Sequence, residues 1–267
     1  MASAAPNDGE GTIFDYFVDK QNEAWAHWNT VVPEWKPGVG SIIIPTMDSA
    51  RYINILNTIK SGNGSTLLIG DTGTGKSTLL YGFLEQSKGD TVSTKSLTFS
   101  SLTTPLIFQT SFEAMLEKRQ GRTFGPPGGK QMVLLIDDIS MPKINEWGDQ
   151  PTNELSRQIV SSRQFYNLEK PGEVKLVVDV HFVAAMKAPG PGKNDIPNRL
   201  KRQFCIFLIN EPTGQVVDSI YGIQLDHHFS KGFAPSVSHR VFVGFRSPVN
   251  DVLKSYCAHC AYRVIRS

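Results

Sequence analysis

The sequence predicts an α/β fold in which a parallel sheet is flanked by helices, and three observations predict it. Short apolar runs at residues 66–69, 97–100, 132–136, 176–185 and 204–209 alternate with segments whose apolar residues recur at helical spacing. That order suits parallel strands joined by crossover helices. A glycine-rich octapeptide, Gly70-Asp71-Thr72-Gly73-Thr74-Gly75-Lys76-Ser77, stands between the first run and a helix-like stretch beginning at Thr78. The run at 132–136 stops at two carboxylates, Asp137 and Asp138.

The remaining elements follow in chain order. Residues 1–11 are small and polar, too poor in apolar side chains to build a core. Phe14, Tyr16, Phe17, Trp25, Trp28 and Trp35 then crowd residues 12–37, a density that suits packing onto a neighbouring surface. Residues 41–45 read as a short strand ending at Pro45. Asp48 reads as the N-cap of a helix with Tyr52, Ile55, Leu56 and Ile59 on one face, closed by Ser61-Gly62-Asn63-Gly64.

Thr104-Pro105 opens a helix carrying Phe108, Phe112, Met115 and Leu116. Gly125-Pro126-Pro127-Gly128-Gly129 makes residues 122–130 a loop. A helix begins at Gln150-Pro151 with Leu155, Ile159 and Phe165 directed inward, and residues 189–197, rich in glycine and proline, form a loop. Residues 213–229 read as one further helix, and no internal repeat is evident.

Composition sets the limits. At 267 residues with 40% hydrophobic content the chain can bury one full core, with room for a partial second domain. The balance of 27 basic and 25 acidic residues leaves a net charge of +2, so no general attraction to nucleic acid or to an anionic membrane follows. No apolar run approaches the roughly 18 to 20 residues needed to span a bilayer, and residues 1–11 lack the regions of a signal peptide, so an intracellular chain is expected. Cys205, Cys257 and Cys260 make neither a disulfide framework nor a complete zinc site, although Cys257-Ala258-His259-Cys260 has C-x-x-C spacing.

The octapeptide fits G-x-x-x-x-G-K-[ST], and its place between strand and helix is what gives the pattern meaning. Backbone N–H groups at a helix N-terminus attract phosphate. Gly70, Gly73 and Gly75 permit close approach, Asp71, Thr72, Thr74 and Thr78 complete the cradle, Lys76 reaches the outer phosphates, and the Ser77 hydroxyl can ligate magnesium. Asp137, at the carboxyl end of a buried strand, is the expected partner for that metal. The implied ligands are ATP or ADP with Mg2+. Asp138 stands where many P-loop ATPases carry a glutamate that polarises water. An aspartate is one methylene shorter, and a misplacement of about 1 Å costs on the order of 100-fold in rate. The competing readings are a glycine-rich turn for the octapeptide and a solvated Asp-Asp turn for the strand end.

Asp137-Asp138-Ile139-Ser140-Met141-Pro142, the string Phe124-Gly125-Pro126-Pro127-Gly128-Gly129-Lys130 and the string Ile44-Pro45-Thr46-Met47-Asp48-Ser49-Ala50-Arg51-Tyr52 carry a resemblance. They resemble the third AAA+ module of axonemal dynein heavy chains. Phe14-Asp15-Tyr16 with Trp25 and Trp28, and Gln150-Pro151 with Glu154-Leu155 and Arg157-Gln158, extend it over roughly residues 11–235. It implies a P-loop NTPase large subdomain at 41–212, an aromatic lead-in and linker at 1–40, and a partial helical lid with a divergent tail at 213–267. On this reading the chain is a fragment, or a truncated product, of a six-module motor ring.

The resemblance also implies roles and partners. Lys187, after Ala184-Ala185-Met186, stands near the place where many AAA+ proteins have an asparagine that orients water; a charged lysine can contact a γ-phosphate but cannot accept a proton. Arg199 and Arg202 match the arginine-bearing stretch that can act on a neighbouring module's nucleotide, against the plainer reading of a solvated basic helix end. The implied partners are adjacent AAA+ modules and dynein complex subunits, with microtubules met only indirectly and no nucleic acid or membrane. Three functions stay open: a partner-dependent ATPase, a regulatory binding module without turnover, and another ring ATPase acting on nucleic acid. A small-molecule kinase is compatible with the octapeptide alone.

Overall fold

The structure, a computed structural model, describes residues 12–19, 22–35, 43–190 and 194–228. They fall into two compact units, one of residues 56–211 and one combining 12–55 with 212–228.

In the second of these, β1 (Tyr16–Asp19) pairs antiparallel with β2 (Ala24–His27), and Phe17 stacks on Trp28 with ring centroids 4.5 Å apart. Tyr16 also meets His27 edge to face at 5.1 Å, while Phe14 stays exposed. Trp35 meets His227 edge to face at 5.2 Å, and a cavity of about 660 Å³ lies beside Trp35, Pro45, Met47 and Ile223. Residues 43–46 are irregular rather than extended, which corrects the expected strand there as far as it is described. Proline at 45 withholds a ladder donor. α1 (Met47–Ser61) follows, capped by Thr46 rather than Asp48: the Ser49 N–H donates to Thr46 Oγ1 at 3.2 Å and the Thr46 N–H donates to Ser49 Oγ at 2.8 Å. Asp48 sits inside the first turn, where its charge still favours the helix dipole.

The larger unit is built on a five-stranded parallel sheet. Its strands are β3 (Ser65–Gly70), β4 (Val92–Thr98), β7 (Gln131–Asp137), β10 (Val180–Lys187) and β11 (Phe204–Leu208), in spatial order β11-β3-β10-β7-β4. The near-continuous apolar runs of β3, β7 and β10 are what burial on both faces demands. One face packs against α2 (Lys76–Ser87), whose Leu80 and Phe83 are fully buried. The other packs Leu134, Ile136, Phe182, Ala184 and Met186 with Phe108 and Phe112 of α3 (Pro105–Glu113) and with Leu155 and Ile159 of α4 (Pro151–Ser162). Each large side chain sealed there contributes about 1.5–3 kcal/mol. Thr104 caps α3 as expected, accepting from the Ile107 N–H at 3.3 Å.

A second, four-stranded sheet overturns three local expectations. β5 (Glu117–Lys118), β6 (Thr123–Gly125), β8 (Gln164–Tyr166) and β9 (Val174–Val177) lie in the order β5-β6-β9-β8. Part of the loop at 122–130 is thus a strand. The run 176–185 is two strands, broken where Asp179 adopts φ 60° and is held by an ion pair from Arg119. Phe165 belongs to β8, because Arg163 at φ 52° ends α4 before it; the ring is still buried, edge on to Phe112. The last helices among the described residues are the short α5 (Asn198–Lys201) and α6 (Gly214–His228), the latter matching the helix expected at 213–229. Cys257 and Cys260 lie outside the described residues.

Candidate functional site

The carboxyl end of the sheet assembles the expected residues from three adjacent strands. β3 delivers the glycine-rich loop and β7 delivers Asp137 and Asp138, while β10 lies between them and ends at Lys187, in register with Gly70. Gly73 at φ 85° and Gly75 at φ 83° hold left-handed backbone that a side chain would strain. Gly70 has no room for one, since a Cβ there would come within 2.6 Å of the Ile209 carbonyl oxygen. The loop then turns directly into α2, so Lys76, Ser77 and Thr78 form its first turn.

The side chains converge as the motif requires. Ser77 Oγ donates to Asp137 Oδ1 at 3.2 Å, linking positions 60 residues apart in sequence. Asp137 Oδ1 also accepts the Asp138 N–H at 3.1 Å. The buried Lys76 ammonium donates to the Asp71 carbonyl oxygen and, at 3.2 Å, to Thr74 Oγ1, acceptors that belong to the loop itself. Burial pushes the Lys76 ammonium below its ordinary pKa, against the pull of Asp138, Asp71 and Asp137. Burial, and then the Asp137 charge, push the Asp138 carboxyl above its ordinary range, opposed by Lys187 and Lys76. A cavity of about 210 Å³ beside the loop is lined by Asp71, Thr74, Ala188, Leu208, Ile209, Asn210 and Glu211.

These residues suit a magnesium nucleotide. The open glycine-rich cradle, a lysine whose donors rest on replaceable acceptors, and a hydroxyl and carboxylate already paired form a donor set for phosphate and a hard cation.

Not every expected residue joins them. Arg199 lies on α5 and Arg202 caps it; both are exposed, and among the described residues neither hydrogen-bonds to the loop. Arg199 instead lies within electrostatic reach of Glu154, which α4 pairs with Arg157 at 2.6 Å.

Sequence reasoning missed what holds Asp138. This residue sits at φ 54°, and the turn after it is stapled to α4: Asn153 Nδ2 donates to the Ile139 carbonyl oxygen at 3.1 Å and Gln150 Nε2 to that of Pro142 at 3.2 Å. Both side chains are buried. Amides at a helix start read as caps, and nothing local announces that their targets lie 8 and 14 residues upstream.

Comparison with known proteins bears on this geometry. A family model described as the P-loop containing dynein motor region matches residues 33–212. The chain is 49% identical over 228 residues to the dynein gamma chain of the flagellar outer arm of Chlamydomonas reinhardtii, covering 82% of this chain and 5% of that protein. It is 44% identical over 242 residues to dynein axonemal heavy chain 5 of Rattus norvegicus, covering 88% of this chain and 7% of that one. With dynein axonemal heavy chain 8 of Homo sapiens the identity is 41% over 224 residues, or 82% of this chain and 5% of the other. The chain thus spans only 5–7% of the length of these relatives.

Proposed function

Because this chain belongs to the family of P-loop containing dynein motor regions, we propose that it is a nucleotide-binding module of an axonemal dynein heavy chain. In this reading it corresponds to the third AAA+ module of the ring, and it regulates movement on microtubules through its nucleotide state rather than by rapid turnover. It works beside neighbouring modules and dynein complex subunits, in the axoneme of a cilium or flagellum.

The observation that carries the reading is the Ser77–Asp137 hydrogen bond, which joins the loop to the β7 carboxylate at the place a nucleotide-bound cation needs both. ATP or ADP would be held by the loop N–H groups from Gly70 to Ser77, with Lys76 on the outer phosphates. Mg2+ would be held by Ser77 and Asp137, directly or through water, and would neutralise phosphate charge there. Thr78 extends the cradle by one helical residue.

The hydrolytic alternative rests on Asp138, which directly follows the metal-binding position. Asn153 and Gln150 fix the turn that follows it, but its side chain is one methylene short of the glutamate this role usually employs. Arg199 and Arg202, exposed on α5 and at its cap, suit contact with a nucleotide held by another module.

Nucleotide affinity and ATP turnover measured in parallel on the whole chain, with Asp138→Asn alongside, separate these readings. Tight binding with negligible turnover, unaltered by the substitution, is expected. Steady hydrolysis that Asp138→Asn abolishes would establish the enzymatic reading instead.

A further inference from the structure

Beyond the nucleotide loop, the turn after Asp138 leads into an exposed apolar surface. The Met141 N–H donates to the Asp138 carbonyl oxygen at 3.0 Å, and residues 141–149 then run to the start of α4. The tip of this segment is closed on itself. The Asn145 N–H donates to the Asp149 carbonyl oxygen at 2.8 Å and the Gly148 N–H to the Asn145 carbonyl oxygen at 3.1 Å, while Asn145 Oδ1 accepts from the Trp147 N–H at 3.1 Å and the Asp149 N–H at 2.7 Å. Gly148, at φ 85°, supplies the left-handed residue of the turn. On it Trp147 is 82% exposed, and Met141 and Ile144 of the same segment are exposed as well.

A second segment is held beside the first. Thr152 Oγ1, in the first turn of α4, donates to the Thr103 carbonyl oxygen at 2.9 Å, just as Gln150 Nε2 ties the Pro142 carbonyl oxygen. The start of α4 thus gathers residues 102–107 and 141–149. Leu102, at 74%, and Leu106 and Ile107 are exposed there, in a stretch from Phe99 to Phe112 that carries no charged side chain. A single exposed leucine needs no explanation. Six large apolar side chains on two adjoining segments, one of them a tryptophan on a closed turn, mark an interaction surface. A preordered turn loses little freedom on binding, and tryptophan is among the residues enriched at binding hot spots.

The charges around it point to the partner. Lys143, Glu146 and Asp149 are exposed and form no ion pair among the described residues. A surface that carries both signs beside apolar side chains is complementary to itself. Turned about a twofold axis, the ammonium of one copy meets a carboxylate of the other while the apolar groups meet each other. The exposed parts of the six apolar residues come to roughly 600 Å² on one copy and about 1,200 Å² over two, the lower end of what stable interfaces bury. We propose that this surface is a twofold interface between two copies of this chain, anchored by Trp147, with Lys143 of each copy paired to Glu146 or Asp149 of the other. It does not depend on what the glycine-rich loop binds.

The test is sedimentation velocity of the whole chain over a range of concentrations, for wild type, Trp147→Ala, Lys143→Glu and the double variant Glu146→Lys with Asp149→Lys. All four positions are exposed, and thermal unfolding verifies that each variant is folded. Wild type is expected to dimerise reversibly. Trp147→Ala weakens the dimer about 100-fold, because a twofold axis counts each lost anchor twice. Lys143→Glu and the double variant each weaken it about tenfold when alone, since like charges then face each other across the axis. Mixing these two charge variants restores pairing as a heterodimer, in which every facing pair is again of opposite sign. A monomer at every concentration, a dimer indifferent to Trp147→Ala, or a mixture that pairs no more tightly than its components would each overturn the proposal.

Discussion

The two ends of β10 handle charge in opposite ways. At its carboxyl end Lys187 has no ion pair among the described residues, Lys76 rests on replaceable loop acceptors, and Asp137 and Asp138 lie side by side. At its amino end, roughly 20 Å away along the strand, three basic groups gather with no carboxylate partner among the described residues. Arg163 donates to the carbonyl oxygens of Val180 and Asn63 and lies over the Phe182 ring, Lys60 lies over the Phe83 ring, and His181 keeps a buried Nε2 without a hydrogen-bond partner. Charges at one end are left available for a ligand. Those at the other are absorbed by backbone and aromatic rings, which suits a structural role.

Substitutions at the two ends should therefore separate cleanly. Asp137→Asn is expected to lower magnesium-dependent nucleotide affinity about 100-fold and to leave affinity in chelator nearly unchanged, because what is lost is a cation ligand. Titrations with and without magnesium check this. An equal loss in both conditions would make Asp137 a structural residue and erase the contrast.

At the amino end the expected effect is smaller and falls on stability. Burial, and then Lys60 and Arg163, lower the His181 pKa from 6.5 to about 4. The unfolded chain then binds the extra proton first, so the stabilisation is fully present above about pH 6.5 and is lost as pH falls towards 4. Allowing for partial exposure, the loss is about 2 kcal/mol. Urea unfolding at pH 7 and pH 4.5 measures it, and His181→Phe should flatten that slope while leaving nucleotide affinity at pH 7 unaltered. A change in that affinity would mean that the two ends are coupled.

The carboxyl end was far more legible in the sequence than the elements around it. The loop from Gly70 to Ser77 is contiguous, and Asp137 announces itself by ending an apolar run, so local pattern sufficed for both. The small second sheet could not be read this way. Its strands hold two to four residues each, too short for alternation to show, and the pairing of β6 with β9 that unites them is remote in sequence. Arg163 and Asp179 adopt left-handed backbone without being glycine, so the breaks that displaced Phe165 and split residues 176–185 carry no compositional mark. Lys187 and Asp137 share a face only once the register of β10 against its neighbours is known.

The central claim is that the carboxyl end of this sheet holds a nucleotide through Lys76. The direct measurement is the nucleotide content of the purified chain, released by denaturation and quantified by chromatography, for wild type and for Lys76→Ala of matched folded fraction. The account predicts ATP or ADP in wild type and an empty variant; a variant that retains nucleotide at the wild-type level would contradict it.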